Sequence, residues 1–344
     1  MSWEWSAAEL DRLQAFLAER GLVDGPVTAR RIGDGHSNLT YLVGDGTAQF
    51  VVRRPPPPPI PPGANDMLRE ARIMAALADT AVPVPTILAS ADTGEVLDVP
   101  LYVMSFATGP VVTATMPAPL DTPERRREVG HALVDTLAAL HAVDYTAVGL
   151  GDLGRPEGFN ARHVSRMRRL IEDENGGVPE EFTDVDAWLQ ANTPPESGAT
   201  LVHADFRIGN VVLGADAPGR IDAVLDWELC TLGDPLLDVG YLAATIPVAG
   251  RRPNATAELG LAMLEEGFPS RDELLARYAE RSGRDLSNLS WYIVLALWKL
   301  AVLYEYSRRR VLDGIGDPYY ADPELVARFL ADARDVVAAA PATS

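Results

Sequence analysis

Residues 201–238 read LVHADFRIGNVVLGADAPGRIDAVLDWELCTLGDPLLD, and this stretch decides the fold. Two apolar runs, 211–213 and 221–225, flank a polar segment, ADAPGR at 215–220, which is the pattern of a β-hairpin. Asp205 and Asn210 precede the hairpin and Asp226 follows it. A hairpin folds back on itself, so Asn210 and Asp226 are expected side by side, with Asp205 on the loop just before. Turns favour Asp and Asn in their own right, but turn chemistry leaves the spacing of HADFRIGN and DWE unexplained.

These side chains have a chemical use. Mg2+ prefers oxygen ligands and takes one or two carboxylates together with substrate phosphates. Asp226 and Asn210 can supply protein oxygens, and Asp205 can orient an attacking hydroxyl or accept its proton. Kinase-type phosphoryl transfer divides its labour in this way, with an Asp and an Asn five residues apart and a later Asp for metal.

On these residues the chain resembles a known family. HADFRIGN is similar to the His-x-Asp-x-x-x-x-Asn loop of aminoglycoside phosphotransferases and related small-molecule kinases, and VLDWELCTLGDPLLDVGYL to the segment that replaces Asp-Phe-Gly there. The nearest resemblance is to the kinase-like domain associated with some acyl-CoA dehydrogenases. It implies a two-lobed, α+β, protein-kinase-like fold: an N-lobe with an antiparallel sheet and helices, about residues 1–108, and a mainly helical C-lobe, 109–344. It also implies ATP, with GTP left open, and Mg2+.

Bulk properties agree. The chain has 344 residues, 47% of them hydrophobic, and a net charge of −19. So acidic a chain is not expected to bind nucleic acid, which needs basic surface. The N-terminus, MSWEWSAAEL, lacks a basic-then-apolar signal pattern, and no apolar run is read as a membrane span. The single cysteine, Cys230, excludes an intrachain disulfide framework. A cytoplasmic enzyme with no membrane partner is expected; a homodimer is left open.

Along the chain, Ser6-Ala7-Ala8-Glu9 is a capping box that opens a helix ended by Gly21. Residues 30–54 read as a hairpin with a glycine-bearing loop, Gly33 to Asn38. The resemblance implies that this loop (Gly33, Gly35, Ser37, Asn38) covers the nucleotide phosphates, although a bare turn reads the same. Arg53 stands where the family has its phosphate-pairing lysine, and Arg54 is the competing choice. Guanidinium can bind phosphate bidentately; solvated edge charges are the plain alternative. Pro55 to Pro59, with Pro61 and Pro62, form a polyproline connection. The helix from Asp66 to Leu77 carries Glu70, which the resemblance pairs with Arg53. VPVPTIL and PLYVMSF read as strands, and the resemblance places adenine against the backbone of Met104, Ser105, Phe106 and Ala107.

In the second lobe, Thr122-Pro123-Glu124 starts a helix reaching about His141. His141 is read as a packed or capping residue; the resemblance implies that His203 is structural and that Asp238 is the carboxylate that braces the catalytic-loop backbone. Arg207 is a candidate to neutralise the transferring phosphoryl group; an ion pair with an acidic neighbour explains it equally well. The basic run RHVSRMRR, 162–169, reads as one helix face or as an anion site. The helix from Leu289 to Tyr306 reads as buried, and Ser270-Arg271-Asp272-Glu273 caps another helix.

The implied activity is transfer of the ATP γ-phosphate to a hydroxyl of a small molecule. Asp205 would be the base and Arg207 its neighbour, Asn210 and Asp226 the metal ligands, and Arg53 with Glu70 the phosphate clamp. Arg in place of the usual lysine supports the rival reading, an inert nucleotide- or ligand-binding protein. Two acceptor classes follow from the resemblance. A polycationic sugar needs carboxylate clusters such as Glu172–Glu174 or Glu265–Glu266; a hydroxylated, apolar-tailed thioester needs an apolar groove with a basic rim. The lean is to a non-antibiotic metabolite, since nothing in the sequence marks a dedicated polycation pocket.

Overall fold

The computed structural model describes residues 4–33, 38–56, 65–214, 217 and 219–340. They fall into two compact units: Met1–Gly109 with Asp222–Glu228, and Pro110–Ile221 with Leu229–Ser344. The first stretch ends at Gly109, where the sequence reading put the lobe boundary after residue 108, and neither unit is continuous in sequence. The DWE segment packs with the first unit, where the Val224 N–H donates to the Pro83 carbonyl at 2.8 Å.

The first unit is built on one antiparallel sheet. Its strands β1 (Thr28–Arg31), β2 (Leu39–Gly44), β3 (Gln49–Arg54), β4 (Ile87–Ala91) and β5 (Leu101–Ser105) lie in the order β1-β2-β3-β5-β4. The strand read at VPVPTIL starts only at Ile87, because Pro83 and Pro85 cannot donate to a ladder. Helix α1 (Ala7–Ala18) opens on the expected capping box and buries Leu13, Phe16 and Leu17 against Tyr41, Val43, Phe50 and Val52. Helix α2 (Met67–Leu77) starts at its N-cap Asp66 and buries Met67, Glu70, Ile73, Met74 and Leu77.

β3 runs to the end of the Arg53-Arg54 pair, so the two side chains take opposite faces of the sheet. Arg54 follows Phe50 and Val52 to the α1 side, where its guanidinium lies over Trp5 and Tyr41. Arg53 takes the other face and is the cross-strand partner of Tyr102. Gly35 and Ser37, with most of the proline run, lie outside the described residues.

The second unit is mainly helical: α3 (Pro123–His141), α4 (Phe159–Arg168), α5 (Thr183–Ala191), then β6 (Thr200–Val202) and β7 (Val211–Leu213). β8 (Ile221–Val224) starts in this unit and ends in the first. The hairpin read from the sequence is closed by the Gly214 N–H donating to the Arg220 carbonyl at 2.8 Å. β9 (Thr231–Gly233) pairs antiparallel with β6. Then come α6 (Leu236–Thr245), α7 (Arg271–Ser282), α8 (Leu289–Leu312) and α9 (Pro323–Ala339). The capping box at Ser270 is formed.

α8 is the axis of this unit and extends past the expected Tyr306. By length and composition it could cross a membrane, against the sequence reading, but 72% of that apolar stretch is buried in the protein. A core helix satisfies both observations. α6 meets α8 at Gly240, where a Cβ would stand 2.6 Å from the Tyr292 backbone.

Candidate active site

In the first unit, Arg53 is the centre of a carboxylate cluster. Its Nη2 donates to Asp226 Oδ1 at 2.6 Å; its Nε lies 3.6 Å from Glu70 Oε2, and its Nη2 3.7 Å from Glu228 Oε2. The ion pair expected with Glu70 is present, but the hydrogen bond goes to Asp226. Burial would lower the Arg53 pKa; Tyr102, Glu70 and Asp226 more than offset it and hold the guanidinium protonated. Glu70 is anchored in turn by the Tyr102 hydroxyl at 3.0 Å and Asn38 Nδ2 at 3.2 Å. Burial pushes Glu70 up to about 7, against the pull of Arg53 and Tyr102.

Asn38 was expected on the nucleotide loop. Its side chain ties inward, donating to Glu228 at 2.8 Å as well as to Glu70, and accepting from Asn65 at 2.7 Å. Glu228, quoted in the motif without a role, thus joins the cluster. Asp226 takes a left-handed backbone, φ 67°, a conformation costing roughly 1–2 kcal/mol for a non-glycine residue.

At the end of β5, Met104 is buried and pairs with Val51 and Ile87. The Ser105 N–H donates to the Thr86 carbonyl at 2.8 Å, and its hydroxyl accepts the Thr86 N–H at 2.9 Å. Ser105 is therefore committed to the sheet, and Phe106 and Ala107 follow it beyond the strand.

In the second unit, Asp205 is held on both carboxylate oxygens. Oδ1 accepts the Tyr241 hydroxyl and Oδ2 accepts Asn210 Nδ2 at 2.7 Å. Asn210 Nδ2 also donates to the Asp205 carbonyl at 2.8 Å, which directs the amide nitrogen inward and leaves its oxygen as the ligand-type atom. Arg207 Nε lies 3.8 Å from Asp205 Oδ1, the ion pair that was one of its two readings.

The loop backbone is braced from below. Asp238 accepts the N–H of His203 and of Ala204, both at 2.7 Å, and contacts His141 Nε2 at 3.2 Å. Burial opposes ionisation of Asp238, but the His141 contact, His203 and the backbone donor hold its pKa below the ordinary value. Ala204 sits at φ 66°, and its carbonyl accepts buried Lys299 Nζ at 2.9 Å. Lys299 also lies over the Tyr241 ring, 5.3 Å from its centroid.

Sequence reasoning missed Tyr241, Lys299, Tyr102 and the role of Glu228. Two signals were present. Tyr241 lies three residues after Asp238 on α6, hence on the same helix face, and Lys299 is the lone cation of the apolar stretch 289–306.

Among the described residues no group of three or more His, Cys, Asp or Glu side chains forms a metal cage. Mg2+, which the resemblance implied, binds through few protein oxygens plus phosphates. The carboxylate of Asp226 and the amide oxygen of Asn210 are hard donors of the right chemistry; Asp226 belongs to the first unit and Asn210 to the second.

The chain matches the model of the phosphotransferase enzyme family, APH, over residues 28–292. It belongs to that family. Curated relatives include acyl-CoA dehydrogenase family member 10 of Mus musculus, 30% identical over 317 residues, covering 88% of this chain and 28% of the relative. Acyl-CoA dehydrogenase family member 11 of Homo sapiens is 30% identical over 308 residues, covering 86% and 38%. The phosphotransferase chain therefore spans only about a third of the length of these relatives. Among solved structures, a Ralstonia eutropha protein named for the aminoglycoside phosphotransferases superposes with TM-score 0.81 at 27% identity, covering 96% of this chain and 98% of its own. A thermostable aminoglycoside phosphotransferase APH(4)-Ia, in ternary complex with ADP and hygromycin B, superposes with TM-score 0.61 at 17% identity, covering 96% and 99%. These similarities establish the α+β kinase-like fold.

Proposed function

We propose that this phosphotransferase moves the γ-phosphoryl group of ATP to a hydroxyl of a small molecule in an Mg2+-dependent reaction. The observation that carries the reading is the Asp205–Asn210 pair, a carboxylate oriented on both oxygens within a braced loop. In the reaction the acceptor oxygen bonds to the γ-phosphorus, the bond from that phosphorus to the β–γ bridging oxygen breaks, and ADP departs. The hydroxyl proton passes to Asp205, as in kinase-type transfer. Arg53, steadied by Glu70, would hold nucleotide phosphates, and the backbone after β5 the adenine. Asn210 and Asp226 would hold Mg2+, which neutralises phosphate charge when bound. The ADP in the APH(4)-Ia complex supports a nucleotide donor.

The acceptor is proposed to be a metabolite other than a polycationic antibiotic. Glu172 is spent on Arg168 at 2.7 Å, Asp173 on the N–H groups of Asn175 and Gly177, and Glu265 on Arg126 at 2.9 Å. Three of the five carboxylates in the runs that would serve a polycation are thus engaged within the protein. The rival reading, a nucleotide binder without transfer activity, draws on the Arg53–Asp226 bond, which ties up a proposed metal ligand.

The test is a screen of hydroxyl compounds followed by ADP release, run beside Asp205→Ala. ADP formation that needs acceptor, Mg2+ and Asp205 supports transfer. Nucleotide binding with no acceptor-dependent ADP from a broad panel supports the rival. A polycationic acceptor would also betray itself by a KM that rises steeply with ionic strength.

A further inference from the structure

α4 distributes its arginines unequally. Arg168 is paired twice, with Glu172 at 2.7 Å and Asp186 at 3.1 Å. Arg162, Arg166 and Arg169 lie at the spacing of a second face, and with Arg155 from the preceding loop they line a cavity of about 380 Å3. None of these four pairs with a carboxylate among the described residues. Arg162 donates to the carbonyls of Glu157 and Arg155, and Arg169 to Ser165 Oγ at 3.4 Å. In a chain with 49 acidic and 30 basic residues, four arginines left without carboxylates around one cavity contrast with the pairing of Arg168 next door.

His163 supplies an independent observation. It lines the same cavity, is 5% exposed, and its Nε2 is buried without a hydrogen-bond partner. Its Nδ1 lies 3.4 Å from Arg166 Nη2. Guanidinium can only donate, so Nδ1 accepts and the proton resides on Nε2. A buried N–H with no acceptor calls for a partner. Burial together with Lys299 and Arg166 keeps this imidazole neutral, its pKa well below the ordinary value, and burial lowers Arg166 as well. Phe159 stacks on His163 at 5.4 Å and gives the cavity an apolar wall.

We propose that this cavity is a binding site for a phosphate-bearing anion, held by the arginine forks with His163 Nε2–H as a further donor. Arginine forks match phosphate geometry and bind it bidentately, and the volume lies within the range of small-molecule sites, roughly 300–1,000 Å3. Lys299 acts electrostatically on both His163 and Asp205, so the site lies on the Asp205 side of this unit. Its assignment to the acceptor's own phosphate rests on the transfer reading; the anion site itself does not.

The experiment is calorimetric titration of the full chain with inorganic pyrophosphate, with AMP-PNP and Mg2+ at saturation. Wild-type protein should bind, and Arg166→Gln/Arg169→Gln should weaken binding about 10–100-fold, the scale of charge-assisted hydrogen bonds. Arg166→Lys, which keeps the charge and loses the fork, should fall between. AMP-PNP affinity should stay unchanged in both variants, which separates this site from the nucleotide reading. Glycerol 3-phosphate is the second probe. ADP release that depends on Arg166 and Arg169 assigns the phosphate to the acceptor; binding without turnover assigns a separate anion, and either upholds the site. No heat at millimolar pyrophosphate, equal affinity in the double variant, or an equal loss in Arg310→Gln at a distant exposed arginine would overturn it.

Discussion

Arg53 Nη2 bonds to Asp226 Oδ1 at 2.6 Å, a full ångström closer than Arg53 approaches Glu70. The cation proposed for nucleotide phosphate and the carboxylate proposed for metal thus neutralise one another. Nucleotide and metal must exchange that contact for their own. Arg53→Met should therefore weaken nucleotide binding, by about 10–100-fold for the loss of a charge-assisted contact. Fluorescent-nucleotide titration measures it; an unchanged dissociation constant would remove Arg53 from the site.

The metal assignment makes a graded prediction. Asp226→Asn should lower Mg2+-dependent nucleotide affinity more than Asn210→Ala, since only Asp226 carries charge. Titrations with and without Mg2+ separate the two effects. If the Mg2+ increment in Asp226→Asn equals that of wild type, Asp226 is not a ligand.

Asp205→Ala should cost about 10²–10⁴-fold in turnover, the usual scale for a lost general base, with nucleotide affinity kept. Tyr241→Phe tests how the base is held. The lost hydroxyl leaves one carboxylate oxygen of Asp205 unheld, so kcat should fall while nucleotide affinity is kept. A kcat equal to that of wild type would make Tyr241 a packing residue only.

Glu70 makes the fold pH-dependent. Its carboxyl is raised from 4.5 to about 7 chiefly by burial, so the native state binds this proton more tightly than the unfolded chain. Stability from this group is present below about 4.5 and is lost as pH rises through about 7. Denaturation of nucleotide-free protein across that window should show the fall in wild type and a flatter curve in Glu70→Gln. Parallel curves would refute the assignment.

Local chemistry was legible from residues close in sequence. The capping boxes at Ser6 and Ser270 formed because each satisfies helix-end donors within four residues. HADFRIGN and DWE carried the family, and the Asp205–Asn210 contact spans one short loop. The opposite faces taken by Arg53 and Arg54 needed the pairing of β3 with β2 and β5, which local sequence does not give.

By itself the sequence determined the family, the α+β class and the polar residues that cluster around its motifs, because these rest on local spacing and side-chain type. Tertiary structure alone decided that Asp226 rather than Glu70 takes the Arg53 hydrogen bond, and that Tyr241 and Lys299 serve the Asp205 loop. It alone separated the paired Arg168 from the arginines facing the cavity. Those contacts join residues distant in the chain, and their partners are set by how helices and strands pack, which no local pattern encodes.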